Sequence, residues 1–514
     1  ASLPDPGVDA ELDRAPSPSM PDVGPDATPD RRAPEDLPPP MVDQAPPERD
    51  VGGGPADFWS NPVSGGPAWT GPEVPGTVAV ARGSVVGTIA PGFLGLSFEK
   101  SHMTDAFFRP DHAPLVALFK LLGPGVLRIG GNDADRTTWD PAALPVMGGT
   151  ISRTVGTVAV DALAAFLKAT GWRVIYAVNY KTGVPENSAA EAKYVAGKLG
   201  PSLYGFELGN EINLGGLAYP EAKAKWETLA GAVRAQVPGA PLIGPATNPR
   251  GLQTYLVPFA RDEAAQVVLL THHYYRGSGG DAASTIEKLV SPDPHLLDVL
   301  GDLATAATTN KIRDGYRLGE TASFSSHGAP GVSNAFASAL WAIDFSFDNA
   351  SKGSGGINFH GGGIGMDGNR PFHYSPIGEV KSVVSEARPL FYGMLLVAMG
   401  GNGKSLATTA AAGGLSFTAH ALLQPDGSVN VFLVNKDPTT AVKATIETGA
   451  PVAAGAVVYL EAPSLGATSG VKIAGAGISA AGAWKPGAPY SLPRAGTTVT
   501  VTVPPATAAL AHVR

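Results

Sequence analysis

From Val74 onward, short apolar runs alternate with longer stretches whose apolar positions recur every three to four residues. Thr77-Val78-Ala79-Val80-Ala81 alternates with period two and predicts a strand. Apolar runs at 93–100, 126–131, 172–180, 203–211, 241–246, 267–275, 316–321 and 356–360 predict eight further strands. They read as near-continuously apolar, as strands do when both faces are covered. Helical periodicity lies between them at 115–122, 161–170, 189–199, 220–236, 251–264, in segments up to 309, at 333–347 and at 389–399. Eight strand–helix pairs predict an α/β fold of the (β/α)8 TIM-barrel type over 91–400.

After Gly401 the pattern turns all-β. Ser416-Phe417-Thr418-Ala419-His420-Ala421 and Val429-Asn430-Val431-Phe432-Leu433-Val434 flank a Pro425-Asp426-Gly427 turn, a hairpin signal. Strand patterns at 457–460 and 497–503 extend it, so 401–514 predicts an antiparallel β-sandwich domain. The strand within 76–90 needs a sheet partner and is expected to join that domain. Residues 1 to about 75 are different: proline, aspartate and alanine dominate, as in Pro38-Pro39-Pro40, without apolar periodicity. Such a segment buries too little apolar surface to offset its ordering entropy, which predicts a disordered tether or tail.

Composition narrows the classes of function. Hydrophobic residues make up 44% of 514, enough for a large core. The formal charge is -8 and basic residues do not cluster, which argues against nucleic acid. No apolar run reaches the roughly 20 residues of a transmembrane helix. Without cysteine there are no disulfides or thiolate-bound metals. The chain opens on Ala1 rather than Met, as after removal of a leader or trimming. The tether resembles the stretch between an export signal or envelope anchor and an exported bacterial enzyme. An extracellular or cell-envelope location, periplasmic or surface-tethered, is therefore expected, with the protein acting as a monomer.

The candidate chemistry sits at strand ends. Leu203-Tyr204-Gly205-Phe206-Glu207-Leu208-Gly209-Asn210-Glu211 and Tyr316-Arg317-Leu318-Gly319-Glu320-Thr321 each close on a glutamate. A carboxylate there can be a helix cap or surface group, but barrel enzymes keep their chemistry at these ends. Two on separate strands fit the acid/base and nucleophile of a retaining glycosidase, which needs its carboxyl groups about 5 Å apart. His272 and Tyr274, two residues apart, share one face of their strand. His273 faces the other way and no third ligand is evident, so no metal is expected. The run 361–368 contains a GxGxxG match, but Asn369-Arg370-Pro371 follows it instead of a helix. A dinucleotide cofactor is therefore not expected.

Val126-Leu127-Arg128-Ile129-Gly130-Gly131, Phe206-Glu207-Leu208-Gly209-Asn210-Glu211, Thr271-His272-His273-Tyr274-Tyr275 and Leu318-Gly319-Glu320-Thr321 occur in this order, on strands two, four, six and seven. Together they resemble glycoside hydrolase family 79, the β-glucuronidase and heparanase family of clan A. The resemblance covers about 90 to 400. It implies Glu211 as acid/base, Glu320 as nucleophile and Asn210 at the sugar 2-hydroxyl. It also implies Tyr274 beside the nucleophile, with His272 next to it. Glu99 and Asn132, with Lys100 and Asp133 as neighbours, match the family's contacts to sugar hydroxyls; a barrel-rim ion pair is the other reading.

The loop after the nucleophile departs from the family. Ser325 stands where a tyrosine is expected, and Ser326 and His327 replace glycines. Backbone N–H groups there, a protonated His327 and Tyr374 are candidates for a uronate carboxylate. The expected activity is hydrolysis of terminal β-glucuronides, without a cofactor. An endo-acting heparanase-like hydrolase and a non-catalytic carbohydrate-binding protein are the alternatives. For the sandwich, Tyr459, Trp484 and Tyr490 form no evident stacking platform, so a bracing role is expected.

Overall fold

The structure is a computed structural model that describes residues 58–66, 69–146, 148, 152–362 and 371–514. The proline-rich segment up to 57, and the glycine run from 363 to 370, lie outside the described residues.

Eight parallel strands close into a barrel in sequence order. They are Leu94–Glu99, Val126–Gly130, Arg173–Val178, Leu203–Leu208, Leu242–Thr247, Val267–Tyr275, Tyr316–Ala322 and Ile357–Gly361, called strands one to eight below. Strands one, two, five, seven and eight are buried at every position. That explains their near-continuous apolar patterns, because helices cover the outer face and side chains fill the inner one. Helices such as Thr157–Thr170, Pro185–Leu199 and Tyr219–Gln236 form the outer ring. The first stops at Gly171, whose φ of 69° suits a left-handed cap. The predicted helix at 251–264 is broken. A π turn at Leu252–Leu256 precedes a short α-helix at Val257–Asp262. Pro258 lacks the N–H that regular winding needs there. A small hairpin, Ile377–Val380 with Val383–Ala387, follows strand eight and had no sequence expectation.

The second β region is one continuous sheet folded around its own apolar core of residues such as Val78, Val431, Val442 and Val501. Glu73–Ile89 runs antiparallel to Gly403–Ala411 and parallel to Ala441–Glu447. The other face of this sheet joins the barrel's core through Leu422, Phe432, Val458 and Leu510. Helix Ala337–Ser351 lies between the two and is buried on nearly all sides. Its Phe347 stacks on His420 at 4.4 Å and meets Phe432 edge-on at 4.9 Å. Asp344 accepts from Thr418 Oγ1 and His420 Nε2 at 2.7 Å and from Lys436 Nζ at 2.6 Å. Gly393 permits the approach of helix Pro389–Met399, since a Cβ there would lie 2.2 Å from the Ala339 carbonyl oxygen. Tyr459 is buried, its hydroxyl donating to Thr502 O, while Trp484 and Tyr490 are half-buried.

Candidate active site

Strand four ends in a turn that fixes two side chains. Gly209 takes φ 89° against Tyr180, where a Cβ would lie 2.5 Å from that residue's Cβ. Asp135 then accepts from the backbone N–H groups of Asn210 at 3.1 Å and Tyr180 at 2.9 Å. Glu211 follows in the left-handed region, φ 46°, a conformation that costs a non-glycine residue about 1 kcal/mol or more and is held here by its N–H on Ala246 O at 2.8 Å. On strand seven, a bulge between Leu318 and Glu320 sets Glu320 beside His273. One carboxylate oxygen of each glutamate and Nδ1 of His273 all lie within 4.8 Å of one another. That spacing matches the retaining arrangement, about 5 Å between carboxyl groups.

Arg128, buried in strand two, organises the pair. Its Nε donates to Glu207 Oε2 at 2.6 Å, its Nη1 to Glu320 Oε2 at 2.9 Å and its Nη2 to Asn210 Oδ1 at 2.8 Å. The last bond fixes the Asn210 amide, because a guanidinium only donates and the amide oxygen is the side that accepts. The Nδ2 group is left to face Asn132, 3.5 Å away, and a bound sugar. Glu207 is completed by Thr271 Oγ1 at 2.7 Å.

Strand six corrects an expectation. Thr271, His273 and Tyr275 face the barrel interior, not His272 and Tyr274. Tyr275 donates its hydroxyl to Glu320 Oε1 at 2.7 Å, and His273 Nδ1 lies 3.1 Å from Glu211 Oε1. His272 Nδ1 instead meets Thr247 Oγ1 at 2.8 Å, and Tyr274 donates to Asp293 among the outer helices. Parity explains the slip: one histidine and one tyrosine lie on each side of this strand, so composition alone cannot choose. The expectation that no third metal ligand is at hand also needs revision, since Glu211, His273 and Glu320 form a trio with metal-ligand atom types. Arg128 already neutralises Glu320 from its other oxygen, which weakens the pull on a cation there.

The rest of the predicted set divides. Glu99 Oε2 accepts from Asp133 N at 2.8 Å, and its Oε1 lies 3.7 Å from His360 Nε2. Asn132 is exposed to the opening. Lys100 turns away to a buried pair with Glu191 at 2.9 Å. Tyr374 is buried 6.0 Å from the Tyr275 ring and 5.9 Å from that of His360. Ser325 braces its loop: its N–H and hydroxyl donate to Gly277 O at 2.8 and 3.2 Å, and its carbonyl accepts from Gly279 N. Ser326 and His327 both take positive φ, 54° and 68°, without being glycine. The His327 ring packs on Phe372 at 4.8 Å. Arg128, Glu207, Tyr275 and His360 are the residues that sequence reasoning missed.

Charge in the site is uneven. Burial by itself pushes Glu320 up, but His360, His273, Arg128 and the Tyr275 hydroxyl outweigh it and hold the carboxyl well below the usual range. An ionised carboxylate is the result, the form that nucleophilic attack requires. Burial depresses His360, yet Glu320 and Glu99 raise it overall. His272, without such partners, is pushed down to about 3 by burial and by its neighbour His273.

No protein-family model matches the chain. Over 142 residues it is 25% identical to a β-glucuronidase of Aspergillus niger, a match spanning 27% of this chain and 25% of that protein. The fold is similar to a 4-O-α-L-rhamnosyl-β-D-glucuronidase from Fusarium oxysporum, with a TM-score of 0.70 and 19% identity over 85% of this chain and 99% of that one. A family 51 arabinofuranosidase from Xanthomonas axonopodis pv. citri gives 0.62 and 17% over 86% of this chain and all of that one. A family 51 α-L-arabinofuranosidase from Thermotoga petrophila gives 0.64 and 15% over 85% of this chain and all of that one. The fold thus defines the class, a (β/α)8 barrel carrying a β-sandwich, which the chain shares with these glycosidases. Within that class the chain resembles glycoside hydrolase family 79, in its four motifs and in having glucuronidases as both a sequence and a fold relative.

Proposed function

We propose that the protein is a retaining β-glucuronidase that removes a terminal sugar by double displacement. The observation that carries this reading is the approach of Glu211 and Glu320 to within 4.8 Å across the barrel mouth. Glu320, ionised and held by Arg128 and Tyr275, attacks the anomeric carbon. Glu211 protonates the departing glycosidic oxygen, and the sugar becomes an ester of Glu320. Glu211 then takes a proton from water, which attacks the same carbon and frees the enzyme. Asn210 offers its amide to the 2-hydroxyl, a contact that tightens as the anomeric carbon gains positive charge. Glu99, Asn132 and His360 take further hydroxyls. His327, Ser326 and Tyr374 are the candidates beside the C5 carboxylate.

The uronate part rests on the glucuronidase relatives and on this loop. The charge of -8 speaks against a long polyanionic substrate and so against heparanase-like internal cleavage. The test compares kcat/KM for p-nitrophenyl β-D-glucuronide and β-D-glucoside in wild type and Glu320→Ala. The expected outcome is preference for the glucuronide and a drop of at least about 10⁴-fold in the variant. A glucoside preference would remove the uronate assignment alone. Equal rates in variant and wild type would remove the catalytic one.

A further inference from the structure

The large apolar side chains that the barrel leaves exposed are not spread over it. Leu144, Val146, Val184, Leu214, Val380 and Val383 are 70, 43, 60, 52, 61 and 54% exposed. Each lies between the carboxyl end of a barrel strand and the helix that follows. Val158, 48% exposed, sits in the first turn of such a helix. At the opposite end of the barrel, where helices lead back into strands, no large apolar residue among the described residues is exposed. Single exposed apolar residues need no explanation, but confinement to the catalytic rim does.

The direction of the chemistry says what passes this rim. An acid/base must reach the glycosidic oxygen, so the leaving group departs beside Glu211. The segment after Glu211 is Ile212-Asn213-Leu214-Gly215-Gly216-Leu217. The Leu214 N–H donates to Glu211 O at 2.9 Å, which ties this exposed leucine to the protonating residue. Leu217 is half-buried behind it, its carbonyl taking the Tyr255 hydroxyl. Gly216, at φ 74°, lets the loop turn without a polar side chain. Val184 stands on the loop after the neighbouring strand three. A polar glycan chain would meet apolar side chains here, and a polyanion would also meet an acidic protein.

We infer that the leaving-group side of the mouth is an apolar platform centred on Leu214, which takes an alkyl aglycone. The inference rests on the assignment of Glu211 as acid/base. It extends that assignment from the sugar to the group released.

Methyl and octyl β-D-glucuronides, with the matching β-D-glucosides, isolate the effect, because both leaving groups are primary alkoxides of similar basicity. The octyl glycoside is expected to exceed the methyl one in kcat/KM by about tenfold or more, through KM, since each buried methylene adds affinity. Leu214→Asp should cut that octyl-to-methyl ratio by about tenfold, Val184→Asp by less, and Leu214→Met should keep it. Val85→Asp, on the exposed sandwich strand, should leave it unchanged. A ratio near one in wild type, or one indifferent to both aspartates, overturns the platform while leaving the glycosidase intact. Absence of turnover on every glycoside overturns both readings. A ratio near one combined with Leu214-dependent sedimentation on phosphatidylcholine vesicles would assign the rim to a lipid surface and overturn the aglycone.

Discussion

Arg128 and Arg317 are both buried in the barrel, and the two ends of the barrel treat them differently. Near the carboxyl ends of the strands, Arg128 meets two carboxylates and the amide of Asn210. Near the amino ends, Arg317 meets no carboxylate among the described residues. It donates to Asn358 Oδ1 and to the carbonyls of Gly92, Phe93, Gly355 and Ile357. Burial pushes its pKa down to about 10. Glycines make room for both: a Cβ on Gly130 would lie 2.7 Å from Arg128 Cζ, and one on Gly356 2.1 Å from Arg317 Nη1. The lower guanidinium stitches the segments entering strands one and eight, where the barrel closes. The upper one holds the Glu320 carboxylate, the proposed nucleophile, in its charged form. The same side chain thus serves closure at one end and chemistry at the other, as expected of a barrel's two faces.

The comparison breaks most visibly at Arg128. Arg128→Met strands two buried carboxylates, so kcat should fall about 100-fold or more, and urea denaturation should register a loss of about 3 to 5 kcal/mol. Arg317→Met leaves carbonyls without donors and should cost about 2 to 4 kcal/mol. Its kcat per folded molecule should stay within about twofold. A large kcat loss in this variant would erase the division between the two ends.

The upper end is sharpened by the tyrosines of strand six. Tyr275→Phe removes a bond to Glu320 and should lower kcat about tenfold. It should also move the acidic limb of the pH profile upward, because the nucleophile loses a group that favours its ionised form. Tyr274→Phe should do neither, and the reverse result would restore the rejected parity. The smallest effect concerns pH. His272 has a folded-state pKa near 3, below its unfolded value, so its stabilising contribution is present above about pH 6.5 and lost as pH falls toward 3. Denaturation at pH 7 and pH 5 should differ by up to about 1.4 kcal/mol per pH unit from this group, a difference absent in His272→Gln.

Much of the fold was legible because a barrel strand covered on both faces is near-continuously apolar, and the eight runs are mostly so. The carboxylates Glu211 and Glu320 were legible as charges closing such runs. Arg128, Glu207 and His360 carry the same kind of signal. Each is a polar residue inside a strand that has no wet face, and each therefore demands a partner across the barrel. Opposite charges on strands two and four were a readable pair. The parity of Thr271-His272-His273-Tyr274-Tyr275 was not readable, since Thr271 finds its partner Glu207 only when the barrel closes. The hairpin Ile377–Val380 with Val383–Ala387 was equally hidden, being four and five residues long with four of its nine positions exposed.

Glu73–Ile89 leaves the ribosome well before its neighbours in the sheet, Gly403–Ala411 and Ala441–Glu447. Until those segments emerge this strand keeps two unpaired edges, and helix Ala337–Ser351 lacks one wall of its housing. Assembly of this sheet is therefore deferred until Ala441–Glu447 is made, and a nascent chain halted before Gly403 is exposed to edge-to-edge association with its neighbours on the polysome.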